Sequence, residues 1–319
     1  MKISCLLLCV VCLPASAQVD IKGAGGEISV SIDGKPFTTL YCGPDTAKPY
    51  LHPLRSASGK VVTRHYPMDD APGETHDHPH HRGLWFSHGN VNGYDFWANE
   101  PSQHDGKNAK IVLEKMGRIA GGKNSGEIEA VFNWNDPSGK TLLTETRRMI
   151  FLGDPVRRTI DFDITLTAAE KVTFGDTKEG TFAIRLAAAL EEPNKEALPS
   201  PRRTGLMVDS EGRRGEAQVW GHRASWVDYF GELEGEKLGI AILDHPNNPR
   251  HPTYWHSRSY GLFAANIFGW HDFLNNKSAD GSLKLDAGQS IRFRYRVMIH
   301  SGNFESADIQ GEYQKFSVQ

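Results

Sequence analysis

Ile160, Phe162, Ile164 and Leu166 alternate with Asp161, Asp163, Thr165 and Thr167. A period of two puts the apolar set on one face of an extended strand and the polar set on the other, so one face of this segment belongs in a core. The same pattern recurs along the chain. Ile28, Val30 and Ile32 alternate with Ser29, Ser31 and Asp33, and Ile128, Ala130, Phe132 and Trp134 alternate with polar neighbours. Asp33-Gly34, Asp136-Pro137-Ser138-Gly139 and Gly153-Asp154-Pro155 are turn signals between such segments. Further strands are predicted over Lys48–His65, Leu142–Phe151, Gln218–Phe230, Leu238–Leu243 and Ser290–His300. No apolar stripe of helical period runs beyond about three turns, and Glu305–Phe316 is the best helix candidate. Many strands at regular spacing predict an all-β fold, a large antiparallel β-sandwich with few short helices.

The first residues, MKISCLLLCVVCLPASAQ, place Lys2 before an apolar run and end on Ala15-Ser16-Ala17. That is the pattern of a cleaved secretory signal peptide. Residues 1–17 are therefore expected to leave, with 18–319 forming a single sandwich domain that is periplasmic or secreted. Cys5, Cys9 and Cys12 leave with the signal, so Cys42 remains alone and no internal disulfide can form. No later apolar run reaches membrane-spanning length. A net charge of -3 gives no electrostatic reason to expect a nucleic-acid partner.

Chemistry concentrates in three stretches. The first, THDHPHHRGLWFSHGNVNGYDFW, holds His76, His78, His80, His81 and His88, five of the fourteen histidines. Imidazole moves protons near neutral pH, binds metals and reads hydroxyl groups. If extended, His76, His78 and His80 share a face and become candidate ligands for a divalent metal ion, together or as a subset with His245 or His256, with a carboxylate from elsewhere. His78 and His81 are alternatively proton-transfer groups. Arg82, His88, Asp95 and Trp97 are candidate substrate contacts, the last two as a polar group beside an aromatic platform.

The second stretch is GDTKEGTFAIR. Glu179 is the candidate general acid or base, with Lys178 beside it. Arg185 lies inside an apolar strand, where its charge needs a carboxylate or a ligand. The third is DHPNNPRHPTYWHSRSYGLFAANIFG, a proline-stiffened loop that supplies His245, Trp255, His256 and Asn266 as further contacts. No nucleophile elbow, phosphate-binding glycine loop or dinucleotide fingerprint is present.

These three motifs in this order resemble an exported bacterial family known as methane oxygenase PmoA-like, over about residues 45–300. The resemblance implies an architecture similar to the galactose-mutarotase-like β-supersandwich. No catalytic residue is transferred through it, because the mutarotase pattern does not match residue by residue. The expectation is an exported carbohydrate-active enzyme of epimerase, lyase or hydrolase type. It would act on a sugar or glycoside by acid–base chemistry. The alternatives are a metal-dependent lyase, hydrolase or oxygenase using the histidines, and a noncatalytic glycan-binding module. Expressed with its own signal in a bacterial host, the protein should start at Gln18, as read by intact mass; a chain retaining residues 1–17 would overturn the cleavage expectation.

Overall fold

The computed structural model describes residues 17–103, 108–193 and 201–319. The expected signal peptide, apart from Ala17, lies outside the described residues. The chain opens with three antiparallel strands, β1 (Gln18–Ala24), β2 (Glu27–Ile32) and β3 (Lys35–Tyr41). Two short ones follow, β4 (Tyr50–His52) and β5 (Leu84–His88). A meander comes next: β6 (Lys110–Ala120), β7 (Gly122–Lys123), β8 (Gly126–Asn135), β9 (Thr141–Asp154) and β10 (Arg157–Ala168). After it run β11 (Val172–Phe174), β12 (Gly180–Arg185), β13 (Leu206–Asp209), the helical turn α1 (Glu216–Val219), β14 (Trp226–Leu233) and β15 (Glu236–Asp244). The last elements are β16 (Tyr254–Ser257), β17 (Leu262–Asn266), the turn α2 (Trp270–Phe273), β18 (Leu283–Leu285), β19 (Ser290–Ser301) and α3 (Ile309–Ser317).

Among the described residues these strands form a nine-stranded sheet in the order β16-β17-β12-β5-β4-β3-β2-β1-β7. An eight-stranded sheet faces it in the order β13-β14-β15-β19-β10-β9-β8-β6, and β11 pairs with β18 apart from both. All named pairings are antiparallel. The fold is the expected all-β sandwich, and β10 buries Ile160, Phe162, Ile164 and Leu166 as its alternation required. Helix α3 lies where a C-terminal helix was expected, with Asp308 capping its start by accepting from Gly311 N. Two expectations are corrected. Lys48–His65 yields only the three residues of β4, because Pro49 and Pro53 bracket it and cannot donate to a ladder. Gln218–Phe230 starts as the end of α1 and becomes a strand only at Trp226.

One apolar cluster fills the space between the sheets and runs from Val19 to Ile299. Aromatic side chains join the layers. The Phe182 ring of β12 stacks on Tyr295 of β19 at 4.4 Å and meets Phe162 of β10 edge-on at 4.9 Å. Helix α3 covers the back of the eight-stranded sheet, packing Ile309 and Phe316 with Trp226, Leu243 and Met298. Cys42 is buried and unpaired. Among the described residues no helix is long and apolar enough to cross a membrane. Phe182→Ala removes both inter-sheet ring contacts. It should lower the unfolding free energy by about 3–5 kcal/mol, read as a shift of the urea midpoint; an unchanged midpoint would show that the layers are not held there.

Candidate functional site

The outer face of the nine-stranded sheet, turned away from the core, carries the polar side chains. Strand parity decides which residues reach it. On β5, Leu84 and Phe86 enter the core while Trp85 and Ser87 point outward. On β12, Phe182 and Ile184 point inward, and Thr181, Ala183 and Arg185 outward. Cross-strand register then lines up one row: Trp85 pairs with Ala183, Ala183 with Ala264, and Ala264 with His256. Two alanines thus form a low floor between Trp85 at one end and His256 at the other.

The His-rich stretch folds over the Trp85 end. Its fixed point is Arg185, which is fully buried. Arg185 Nη1 donates to His81 Nδ1 at 3.1 Å, and Nη2 donates to Asp77 Oδ1 at 3.2 Å. Glu191 Oε1 lies 3.9 Å from Nη2, and the guanidinium sits over the Tyr260 ring at 4.6 Å. A second buried arginine, Arg64, donates to Asp77 and to the carbonyl oxygens of Tyr66, Thr75 and His78. Burial pushes the Asp77 carboxyl up, but the hydrogen bond from His78 and the charges of Arg185 and Arg64 outweigh it and hold it well below the usual range.

His78 adopts φ +44°, a left-handed conformation that is strained for a side-chain-bearing residue. Its carbonyl is held by Arg64 and by His81 N. The strain turns the His78 ring flat onto His81 at 4.7 Å and onto Tyr260 at 5.6 Å. Gly83, at φ +53°, then admits the chain to β5, since a Cβ there would lie 2.2 Å from Leu51 O.

His81 packs against Trp85 at 5.2 Å and Trp97 at 5.9 Å. Arginine cannot accept a hydrogen bond, so His81 Nδ1 is the acceptor and Nε2 carries the proton. Burial first, and the surrounding His80, Arg185, His78 and Arg64, keep this ring neutral far below its ordinary range. At the other end of the floor, Trp220 Nε1 donates to His256 Nδ1 at 2.9 Å, so the proton of neutral His256 is also on Nε2. Burial, with Arg258, Lys178 and His78 nearby, pushes its pKa down to about 3. That charge environment joins all three sequence stretches. Lys178 and Glu179 pair at 3.0 Å, each side chain 37% exposed. Asn266 Nδ2 clamps their loop by donating to Thr177 O and Lys178 O. Gly89 lets Glu179 approach, because a Cβ there would meet Glu179 Cβ at 2.9 Å.

The site therefore gathers His78, His81, Lys178, Glu179, Arg185, His256 and Asn266. Other expected residues do different work. Arg82 makes two 2.8 Å bonds to Glu100, and Asp95 caps the turn by accepting from Trp97 N and Ala98 N. Trp97 is no surface platform, since it is fully buried behind His81. His88 falls on the core side of β5 by parity, donates from Nε2 to Gly175 O and packs on Phe268 at 4.5 Å. Trp255 is core, with Nε1 donating to Ala224 O. His245 follows the end of β15 in the other sheet, against Arg294 and Phe316, and does not reach this face.

The metal triad does not form. His76 stacks on Tyr66 and lies 3.0 Å from Asp70, His78 turns to Asp77, and His80 bonds Gln103. The left-handed turn at His78 and Pro79 destroys the common face that an extended chain would give. Among the described residues no group of three His, Cys, Asp or Glu side chains could hold a metal ion. Sequence reasoning missed Arg64, Trp220 and Tyr260 as site residues. Tyr260 lies in the third stretch and was within reach; Arg64 and Trp220 carry no local signal.

Residues 27–314 match a family described as "Family of unknown function (DUF6807)". The chain belongs to this family. This is the family whose model matches, not the expected PmoA-like one, and its description names no activity. No curated protein matches the sequence. Among solved structures, the chain is similar to the GH36 alpha-galactosidase AgaA from Geobacillus stearothermophilus, with 11% identity and a TM-score of 0.41. That alignment covers 89% of this chain but only 41% of the enzyme, so the chain spans about two-fifths of its length. It is also similar to a galactose mutarotase-like protein from Clostridium acetobutylicum, with 11% identity, a TM-score of 0.37, and 88% and 94% of the two chains covered. A galactose mutarotase related enzyme from Lactobacillus acidophilus aligns at 8% identity and a TM-score of 0.33, over 89% and 97%. Likenesses this distant say nothing of what this chain acts on.

Among the described residues burial pushes six imidazoles below their ordinary 6.5, with His80 at about 2, His256 at about 3 and His52, His88 and His245 at about 4; His81 is also lowered, and His65 and His300 move up. Below pH 6.5 the unfolded chain takes up protons at the six rings that the folded chain refuses. Their effect is a loss of stability as pH falls from 6.5 towards those values, opposed by His65 and His300 and by the raised carboxyls of Glu191, Glu192 and Asp244. The melting temperature should fall between pH 7 and 5, with a shallower slope in His256→Gln; a flat profile would contradict buried, neutral imidazoles.

Proposed function

We propose that this protein is an exported carbohydrate-active enzyme that binds a sugar or glycoside on the outer face of the nine-stranded sheet. It acts there by acid–base chemistry of epimerase, lyase or hydrolase type. One arrangement carries this reading. Two neutral imidazoles, His81 and His256, stand at opposite ends of an alanine floor, each held with its proton on Nε2. The Lys178–Glu179 pair stands beside them. A neutral imidazole N–H can polarise a sugar oxygen while a carboxylate takes or returns a proton. Glu179 fits the acid/base role and His78 a proton-transfer role, since both keep solvent-exposed side chains at the mouth of the floor. Lys178 and Tyr260 are placed to hold hydroxyl groups. Export is proposed from the signal-like first 17 residues.

A metal-dependent lyase, hydrolase or oxygenase loses its proposed ligand set, because His76, His78 and His80 are engaged separately. One observation favours the noncatalytic reading: the Glu179 carboxylate is already paired with Lys178 at 3.0 Å. Glu179→Gln separates the two. Screened against a panel of free sugars and glycosides, it should lower turnover by about 100-fold or more. Its melting temperature should stay close to wild type, because the side chain is partly exposed and outside the core. Turnover that persists would remove Glu179 from the mechanism, and sugar binding without turnover in wild type and variant alike would leave a glycan-binding module.

A further inference from the structure

The outer-face site is surrounded by buried donors that have no partner. His81 Nε2, Trp85 Nε1, Ser87 Oγ, Trp97 Nε1, Thr181 Oγ1 and Arg185 Nε are all buried without a hydrogen bond. They are not scattered. The rings of His81, Trp85 and Trp97 lie within 5.9 Å of one another, centre to centre. Ser87 and Thr181 face each other across β5 and β12, on the same face and one step along from Trp85 and Ala183. Arg185 closes the group through His81.

The chemistry of these atoms is one-sided. Indole and guanidinium nitrogens only donate. His81 Nε2 must also donate, because Arg185 occupies Nδ1. Two hydroxyls can donate as well. Leaving one such group buried and unpaired forfeits its hydration with nothing in return, so a native fold seldom collects several in one place without a use for them. A sugar hydroxyl brings a donor of its own, and the one orphaned acceptor on β5, His88 Nδ1, lies on the core side of the sheet. A carboxylate brings only acceptors, about four lone-pair sites on two oxygens.

We infer that the ligand of this site presents a carboxylate to the His81–Trp85–Trp97 donors, which on the carbohydrate reading makes it a uronate or a uronate-bearing glycoside. The inference rests on this face being the ligand site. Entry is past His78, whose ring covers His81 while its side chain remains 42% exposed. Charge-assisted bonds to a carboxylate are about twice as strong as neutral ones, and here they replace unpaired donors.

The test is nuclear magnetic resonance on the full mature protein, following the indole N–H signals of Trp85 and Trp97 and the ring nitrogens of His81. Trp97→Phe, Trp85→Phe and His81→Gln assign the signals. If one tryptophan variant fails to fold, the other indole and the His81 ring nitrogens carry the readout. The probes are D-glucuronate, D-galacturonate and D-mannuronate, their three parent aldoses, and lactate as a carboxylate that is not a sugar. The expected result is that at least one uronate moves these signals and binds about tenfold or more tighter than its parent aldose, a gap of one good charge-assisted bond. If a parent aldose moves them at the same concentration as its uronate, the carboxylate is overturned while the carbohydrate reading stands. If lactate moves them and no sugar does, the carboxylate niche stands and the carbohydrate reading falls. If no probe moves them, the inference is overturned.

Discussion

A guanidinium cannot shed its proton in a protein, so Arg185, buried at the end of β12, obliges the chain to bring partners to it. Asp77 and His81 of the His-rich stretch, Glu191 and the Tyr260 ring answer from three other segments. An uncompensated buried charge costs several kcal/mol, enough to exclude arrangements in which the His-rich stretch lies elsewhere. Arg64 repeats the device one layer out, fixing Asp77 and the backbone from Tyr66 to His78. The strained His78 backbone is held between these two cations, and the stack of His81, His78 and Tyr260 follows from it.

The same strands serve stability and chemistry on opposite faces. Phe182 and Ile184 of β12 hold the sandwich together, while Thr181, Ala183 and Arg185 build the site. On β17, Phe263 and Ala265 face the core and Ala264 floors the site. Side chains mounted on a packed sheet inherit its rigidity, which suits a site whose imidazole tautomers depend on single hydrogen bonds. Glu179 and Lys178 stand just before β12, clamped by Asn266 from the neighbouring strand.

Much of the site was visible in the sequence as three dense stretches, and His81, Glu179, Arg185 and His256 do meet. The misreadings have physical causes. His88 resembles its neighbours in composition, but a count of two from Phe86 puts it in the core. Trp97 and Trp255 carry the residue type of a sugar platform and the burial of core side chains, and type alone does not distinguish these. His245 belongs to the third stretch in sequence and to the other sheet in space. The supposed metal triad assumed extended backbone, which the φ of His78 breaks.

Alternation and turn chemistry act between near neighbours, so the sequence by itself determined the all-β class, the buried face of each long strand and the segments that carry chemistry. Which of those segments meet was decided by strand order. Residues of β5, β12 and the β16–β17 hairpin lie far apart in the chain and become adjacent only by pairing. No local period encodes that pairing. The proton positions on His81 and His256 are set by donors 104 and 36 residues away, so even the chemical identity of the site belongs to the tertiary structure.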